Sequence, residues 1–250
     1  MIRLAALSST TLLGKVSRYP LRILPKSLVV RVLQGPARGK KWIVGSQRHA
    51  FWLGDYEPEM QRAIAETVKV GGVFYDVGAN VGFYSLLASE LVKNGKVFSF
   101  EPLPANVSYL RRHLSMNAAN NVQVLELALW NGIGTSFFEA EETGAMGHLK
   151  DRGSCTVSTT TLDHLLQQQR IAPPDYIKMD IEGAEFNALL GARNCFATHR
   201  PTLFLATHSR ELTQDCSELL CSWGFELASI GEASEERAEI LARPKPPLGA

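Results

Sequence analysis

Four apolar segments of this sequence each run into residues that are able to do chemistry. The first leads into DVGANVG at residues 76–82, where Gly78 and Gly82 flank Asn80 and an apolar helix follows. Glycines in such a turn permit positive φ and let a ligand lie against backbone N–H groups at the helix start. For Gly78 taken alone, a plain tight connection between a strand and a helix is the favoured interpretation.

An acid after the second segment favours a nucleoside as the ligand of this turn. Glu101 ends VFSFE, about 20 residues beyond the glycines, which is where a carboxylate holds the hydroxyls of a bound ribose. The turn reads G-x-N-x-G and lacks the third glycine of the dinucleotide fingerprint. With no Tyr-x-x-x-Lys pair either, an NAD-linked oxidoreductase is the disfavoured alternative.

The third and fourth segments supply acids and a histidine. YIKMDIEGAE carries Asp180, Glu182 and Glu185, and TLFLATHS carries His208. Neighbouring acids repel one another when desolvated, so Asp180 suggests a cation or a proton as its partner. Glu185 is better placed to cap the following helix. His208 is a candidate general base, and a divalent metal held by Asp180 and His208 is a weaker hypothesis.

These segments need a sheet that brings their ends together. From residue 72 onward, strand patterns alternate with helical ones. Such repeats predict an α/β fold with a doubly wound, mostly parallel sheet, because each parallel crossover needs a helix. Two strands in succession at the end, FELASI and EILARP, predict a hairpin with an antiparallel edge strand. The carboxyl ends of the parallel strands then form the ligand-binding edge.

The chain divides into a leader at residues 1–70, a main domain at residues 71–243 and a disordered tail at residues 244–250. The leader contains three predicted short strands (SLVVRVL, KKWIVG and HAFWLG) and an entry helix that begins near Pro58. Residues 131–158 are rich in Gly, Ser and charge, with one predicted strand, TSFFEA, and suggest an insertion or lid over the sheet.

Aromatic and acidic residues precede the entry helix, in FWLGDYEPE. Trp52, Tyr56 and Glu57 either line an acceptor pocket or pack the leader against the sheet. Packing is the favoured interpretation for Trp52, and both remain open for the other two.

Composition limits the partners. The formal charge is +1, which gives no general attraction to nucleic acid. Four cysteines without a CxxC pair predict reduced thiols in a cytoplasmic protein.

No apolar run is long enough to span a membrane. The first 25 or so residues predict an amphipathic helix or a disordered lead. Docking on a membrane surface is the weaker alternative, through Arg3, Lys15, Arg18, Arg22 and Lys26.

The motifs in combination resemble the FkbM-type family of S-adenosylmethionine-dependent methyltransferases. The matching pieces are DVGANVGFYS, FEPLPAN, TLD, KMDIEGAE and PTLFLATH, within about residues 55–210. The resemblance implies a class I, Rossmann-like methyltransferase fold with seven strands, the last one antiparallel. It also implies S-adenosyl-L-methionine as cofactor and methylation of a hydroxyl on a sugar, glycan or secondary metabolite. The alternative is a non-catalytic nucleoside-binding fold-mate with an assembly or binding role.

The resemblance also implies roles for individual residues. Glu101 would hold the ribose hydroxyls, Asp180 would lie beside the transferred methyl group, and His208 or Asp180 would accept the proton of the acceptor. The methionine end would be held by Asp76, Gly78, Asn80 and Gly82. Two positions depart from the family pattern: His113 stands where Asn is frequent, and Ala206 where Glu is frequent. The second departure counts against a metal-dependent mechanism.

Overall fold

The computed structural model describes residues 23–140, 147–150, 155–232 and 237–246. The predictions for the first 22 residues therefore lie outside the described part. The strands are β1 (Val29–Arg31), β2 (Lys41–Ile43), β3 (Val73–Val77), β4 (Lys96–Phe100), β5 (Val122–Leu125), β6 (Ala128–Leu129), β7 (Gly134–Ala140), β8 (Gly147–Lys150), β9 (Cys155–Thr160), β10 (Tyr176–Met179), β11 (Thr202–Thr207), β12 (Phe225–Ser229) and β13 (Ala238–Pro244). The helices are α1 (His49–Leu53), α2 (Pro58–Thr67), α3 (Phe83–Val92), α4 (Pro104–Met116), α5 (Leu162–Gln167), α6 (Glu185–Leu190), α7 (Arg193–His199) and α8 (Arg210–Ser222).

The main sheet has seven strands in the order β12-β13-β11-β10-β3-β4-β5. Its strands β5, β4, β3, β10 and β11 pair in parallel, which confirms the predicted doubly wound sheet. The strand order reverses between β3 and β10, and ligands bind at the carboxyl ends of strands beside such a reversal.

The last strand is antiparallel, as predicted, but it does not form the edge. β13 lies between β11 and β12 and pairs antiparallel with both, so the edge strand is β12. The expectation of an antiparallel edge strand was wrong because a hairpin pattern shows that two strands pair and not which one faces outward. β13 continues to Pro244, into the predicted tail.

Both faces of the sheet are covered, and adjacent residues of one strand enter different cores. Phe74 packs in the cluster that contains Trp42 and Phe83. Tyr75, the next residue, packs in the cluster that contains Phe98 and Leu203. Successive side chains of a strand point to opposite faces, and the leader residue Trp42 belongs to the same core as Phe74.

The leader contains two of the three predicted strands. β1 and β2 pair antiparallel, but HAFWLG forms helix α1. Gly54 ends this helix in the left-handed conformation (φ 82°), and its N–H bonds the carbonyls of Ala50 and Phe51. Glycine at this position is the usual helix stop, which outweighs the strand propensity of the aromatic residues. Helix α2 begins at Pro58 as predicted.

A second sheet, in the order β6-β9-β7-β8, is formed by the part of the chain between strands β5 and β10 of the main sheet. The segment at residues 131–158 was expected to hold one strand; β7 pairs with both β8 and β9, so three strands fall there wholly or in part. That this segment acts as a lid stays a prediction, since residues 141–146 and 151–154 lie outside the described ranges. Among the described helices, none has the length and apolar character needed to cross a bilayer.

Candidate active site

A cavity of about 1150 Å³, including the space at its open mouth, lies at the carboxyl ends of the parallel strands. Five of the predicted site residues line it: Gly78, Asn80, Glu101, Asp180 and His208. They come from four strand ends that are distant in sequence, and the sheet brings them together as expected.

Asp76 lies beneath this cavity and does not line it. Its side chain is fully buried and accepts a hydrogen bond of 2.6 Å from the Ser85 hydroxyl, which lies 2.8 Å from that of Ser99. Burial raises the pKa of the Asp76 carboxyl. Asp76 thus ties β3 to helix α3 and to β4, and its role in holding the cofactor stays a prediction.

The backbone N–H groups of the turn are already occupied. The amides of Gly78 and Ala79 donate to the Phe100 carbonyl, and that of Gly82 donates to Ala79. The amide of Asn80 donates to Glu101 at 2.8 Å. These four donors are satisfied within the protein, and the expectation that a ligand lies against N–H groups at the helix start stays a prediction.

The two glycines are required by packing. A Cβ on Gly78 would lie 1.9 Å from the carbonyl oxygen of Asp180, and one on Gly82 would lie 2.4 Å from a methyl of Leu110. Both residues have positive φ, +80° and +93°. The turn therefore allows β3 to pass close to the end of β10 and helix α3 to lie against α4.

Glu101 is the buried carboxylate of the cavity, with 5% exposure. It accepts hydrogen bonds from the amides of Asn80 and Leu103, at 2.8 and 2.9 Å, and a longer one from the Asn106 side chain at 3.3 Å. Burial raises the pKa of Glu101 to about 7, although these N–H donors favour the ionised form. A carboxylate offers about four acceptor positions, so Glu101 keeps one for a ligand hydroxyl.

His208 is held by carboxylates on both ring nitrogens. Its Nε2 lies 2.8 Å from Asp180, and its Nδ1 lies 3.3 Å from Glu182. Burial lowers the pKa of His208, but the neighbouring carboxylates, Asp180 foremost, raise it above the ordinary value. Burial raises the pKa of Asp180, but the charge of Lys178 and the bond to His208 hold it well below its usual range. Asp180 therefore stays ionised and holds the ring through Nε2.

A metal ion fits this place poorly. Asp180, Glu185 and His208 offer ligand atoms within 4.8 Å of one another. Glu185, however, accepts the amides of Ile181 and Gly183, and the cation of Lys178 lies 3.5 Å from Asp180. Glu185 thus holds the turn before α6, without a side-chain capping bond at the helix N-terminus, and the charge of Asp180 is already balanced.

A polar network beside Asp180 was not predicted as a unit. The Tyr84 hydroxyl donates to Glu57 at 2.7 Å, and Glu57 also pairs with Arg237. Arg237 lies 3.8 Å from Asp180, and Lys178 lies over the ring of Tyr84 at 4.9 Å. The sequence marked Glu57 as a candidate, but no local pattern marks Arg237, whose partner is 180 positions away.

Three features together are those of the class I methyltransferase fold: the strand order, the turn at residues 76–82 with its bond from Asn80 to Glu101, and the cavity where the strand order reverses. The fold resembles the crystal structure of methyltransferase FkbM from Methylobacillus flagellatus KT, with a TM-score of 0.53 and 16% identity, over 78% of this chain and 55% of that one. The FkbM methyltransferase domain matches residues 76–227, more than half of the chain. The chain belongs to this family.

Two relatives extend the comparison. The chain is 31% identical to the hexuronic acid methyltransferase AglP of Haloferax volcanii, over 55% of this chain and 57% of the relative. It is 27% identical to the methyltransferase sdnD of Sordaria araneosa, over 46% of this chain and 58% of the relative. The match thus spans less than two thirds of the length of either relative.

Proposed function

We propose that the protein is an S-adenosyl-L-methionine-dependent methyltransferase that methylates a hydroxyl of a sugar, glycan or secondary metabolite. Family membership supports the reaction class, and the name of AglP, a hexuronic acid methyltransferase, supports a sugar acceptor. One observation carries the choice of cofactor. The turn offers the Glu101 carboxylate to a ribose while its own amides are satisfied, which suits a nucleoside without phosphates.

The cofactor supplies an activated methyl group, and the chain supplies the surfaces that hold it. Glu101 accepts from the ribose hydroxyls. Leu103, Leu127 and Leu129 line the cavity with Glu101 and would give an apolar wall for the adenine base. Asp180 lines it too, with Tyr84, Lys178 and Arg237 of the polar network, where a polar acceptor would find hydrogen-bond partners.

In this reaction the protein has to position the cofactor and the acceptor and to remove one proton from the acceptor. Transfer to a hydroxyl would form a C–O bond as the methyl C–S bond breaks and S-adenosylhomocysteine leaves, and the hydroxyl proton would pass to a nearby base. His208 is the proton acceptor in this proposal, because Asp180 is held ionised and is a weak base. Asp180 orients the ring at 2.8 Å and stabilises the imidazolium that forms.

Calorimetric titration with S-adenosylhomocysteine tests the cofactor assignment. We expect binding in the micromolar range by the wild type and its loss in Glu101→Ala. Glu126→Ala is the matched control, since Glu126 is an exposed acid paired with Arg111 at the surface, and it should bind as the wild type does. A folded wild type that fails to bind would refute the proposal. Binding without turnover on a panel of hydroxylated acceptors would favour the non-catalytic alternative.

We also propose a cytoplasmic location. Cys195, Cys216 and Cys221 are free thiols, and Cys221 is exposed, which suits a reducing compartment.

A further inference from the structure

The leader contacts the cofactor turn at two consecutive residues. Gln47 follows a short 3-10 turn after β2, and its side-chain N–H donates to the Asn80 Oδ1 at 3.0 Å. His113 on α4 bridges the other contact: its Nε2 lies 3.1 Å from the amide nitrogen of Ile43, and its Nδ1 lies 2.7 Å from the carbonyl of Val81.

The bridge through His113 has a defined direction. The Ile43 amide donates to Nε2, so Nδ1 carries the proton that it donates to the Val81 carbonyl. The ring is fully buried and stacks on Trp42, with centroids 4.0 Å apart. One helical turn later, Asn117 bonds both backbone groups of Lys41, at 2.8 and 2.9 Å. Strand β2 is therefore fixed to α4 in a single register.

Asn80 is the residue on which these contacts converge. Its φ of +50° is in the left-handed region, which asparagine adopts more readily than other non-glycine residues. Glu101 accepts its backbone N–H at 2.8 Å, and Gln47 donates to its side chain. The acid proposed to bind ribose and the leader thus hold the same residue from two sides.

The leader also forms part of the cavity wall. Gln47, Arg48 and Phe51 line the same cavity as Glu101. The methyltransferase motifs begin at residue 76 and include none of the three, although Phe51 is the first residue of FWLGDYEPE.

We propose that residues 41–51 of the leader belong to the cofactor site, with Gln47 as a positioning residue that fixes Asn80 and thereby the carboxylate of Glu101. This inference rests on the proposed function, because it presumes that the cavity binds S-adenosyl-L-methionine. The leader, which lies outside the methyltransferase motifs, would then contribute to cofactor binding.

Gln47→Glu is the sharpest test, because it keeps the size of the side chain and replaces the N–H donor with a carboxylate facing Asn80 Oδ1. We expect S-adenosylhomocysteine to bind about tenfold more weakly, measured by calorimetry, since an acceptor would face an acceptor. Gln34→Glu is the matched control: Gln34 donates to Asp55 at 2.6 Å within the leader and is not among the residues that line the cavity. It should lower stability to urea yet leave the affinity within twofold.

The outcomes distinguish a failure of this inference from a failure of the proposed function. A folded wild type that does not bind S-adenosylhomocysteine refutes the methyltransferase proposal itself. A wild type that binds, with Gln47→Glu binding equally well, overturns the role of Gln47. Equal weakening by Gln34→Glu would overturn it too, because general loosening of the leader would then explain the effect. Should Gln47→Glu fail to fold, Gln47→Ala removes the donor without adding charge and is judged against the same control.

Discussion

At His208, two carboxylates bracket one imidazole. Asp180 holds Nε2 at 2.8 Å, whereas Glu182 faces Nδ1 at 3.3 Å and is partly exposed. Glu182 has a φ of +53° and precedes Gly183 at φ +100°, in a loop that leads away from the strand end. In the proposed reaction the acceptor hydroxyl approaches Nδ1, because Nε2 is held by Asp180 at the shorter distance.

Replacing His208 by Ala should remove the base and leave the cofactor site intact. We expect turnover to fall by about 10² to 10⁴, the usual contribution of a general base, with unchanged affinity for S-adenosylhomocysteine. His199→Ala is the control, since His199 is exposed at the end of α7. Methyl transfer to an acceptor found by screening gives the rates. Full activity of His208→Ala would show that another group takes the proton.

At the scale of elements, the site depends on how closely the end of β3 approaches the end of β10. The carbonyl oxygen of Asp180 occupies the place that a side chain at position 78 would need. Gly39, between β1 and β2, has nearly the same backbone conformation (φ +89°), and a Cβ there would meet nothing within 4 Å. A substitution at Gly39 therefore adds backbone strain alone, whereas one at Gly78 adds the same strain and a steric clash.

Gly78→Ala should be much more destabilising than Gly39→Ala. Both substitutions place alanine in the left-handed region, at a cost of about 1–2 kcal/mol. Only Gly78→Ala also forces two strand ends apart, so we expect its free energy of unfolding to fall by about 2 kcal/mol more than that of Gly39→Ala. Urea denaturation of both variants measures the difference. If both variants lost the same free energy of unfolding, the ends of β3 and β10 would move apart at little cost.

The sequence predicted the elements whose signals are local. Alternating strand and helix patterns indicated the parallel sheet, and the spacing from the turn to Glu101 placed that acid correctly in the cavity. The apolar strands of a parallel sheet are nearly continuous hydrophobic runs, so they are readily recognised. Helix α1 was missed because its aromatic residues favour strands, and only Gly54 signals its end.

The site could be predicted only in part. Asp76 and Glu101 both follow apolar strand residues, yet one is buried beneath the turn and the other lines the cavity. Sequence does not show which way a strand-end side chain faces when the next residues turn. Arg237 and Gln47 reach the site through contacts with Glu57 and Asn80, which are far from them in the chain and leave no periodic signal.

At the scale of the whole molecule, leader and main domain share one core. Trp42 is fully buried and packs against Phe51, Phe83 and His113. The imidazole is the polar group at the centre of this contact. Burial lowers the pKa of His113 to about 4, with a smaller contribution from the charge of Arg112. The joint between the two parts therefore requires a neutral histidine.

This joint should weaken in acid. In the unfolded chain His113 takes up a proton near the ordinary histidine pKa of 6.5, whereas in the folded protein it does so only when the pH approaches its lowered pKa of about 4. As the pH falls from 7 to 4, proton uptake by the unfolded state removes about 3 kcal/mol of stability. His113→Gln cannot titrate, so its disadvantage relative to the wild type should shrink by that amount over the same range, measured by urea denaturation. Other acids titrate alike in both proteins and cancel. Two curves that stay parallel from pH 7 to 4 would show that the ring accepts a proton within the folded protein, and that the leader is not held by a neutral imidazole.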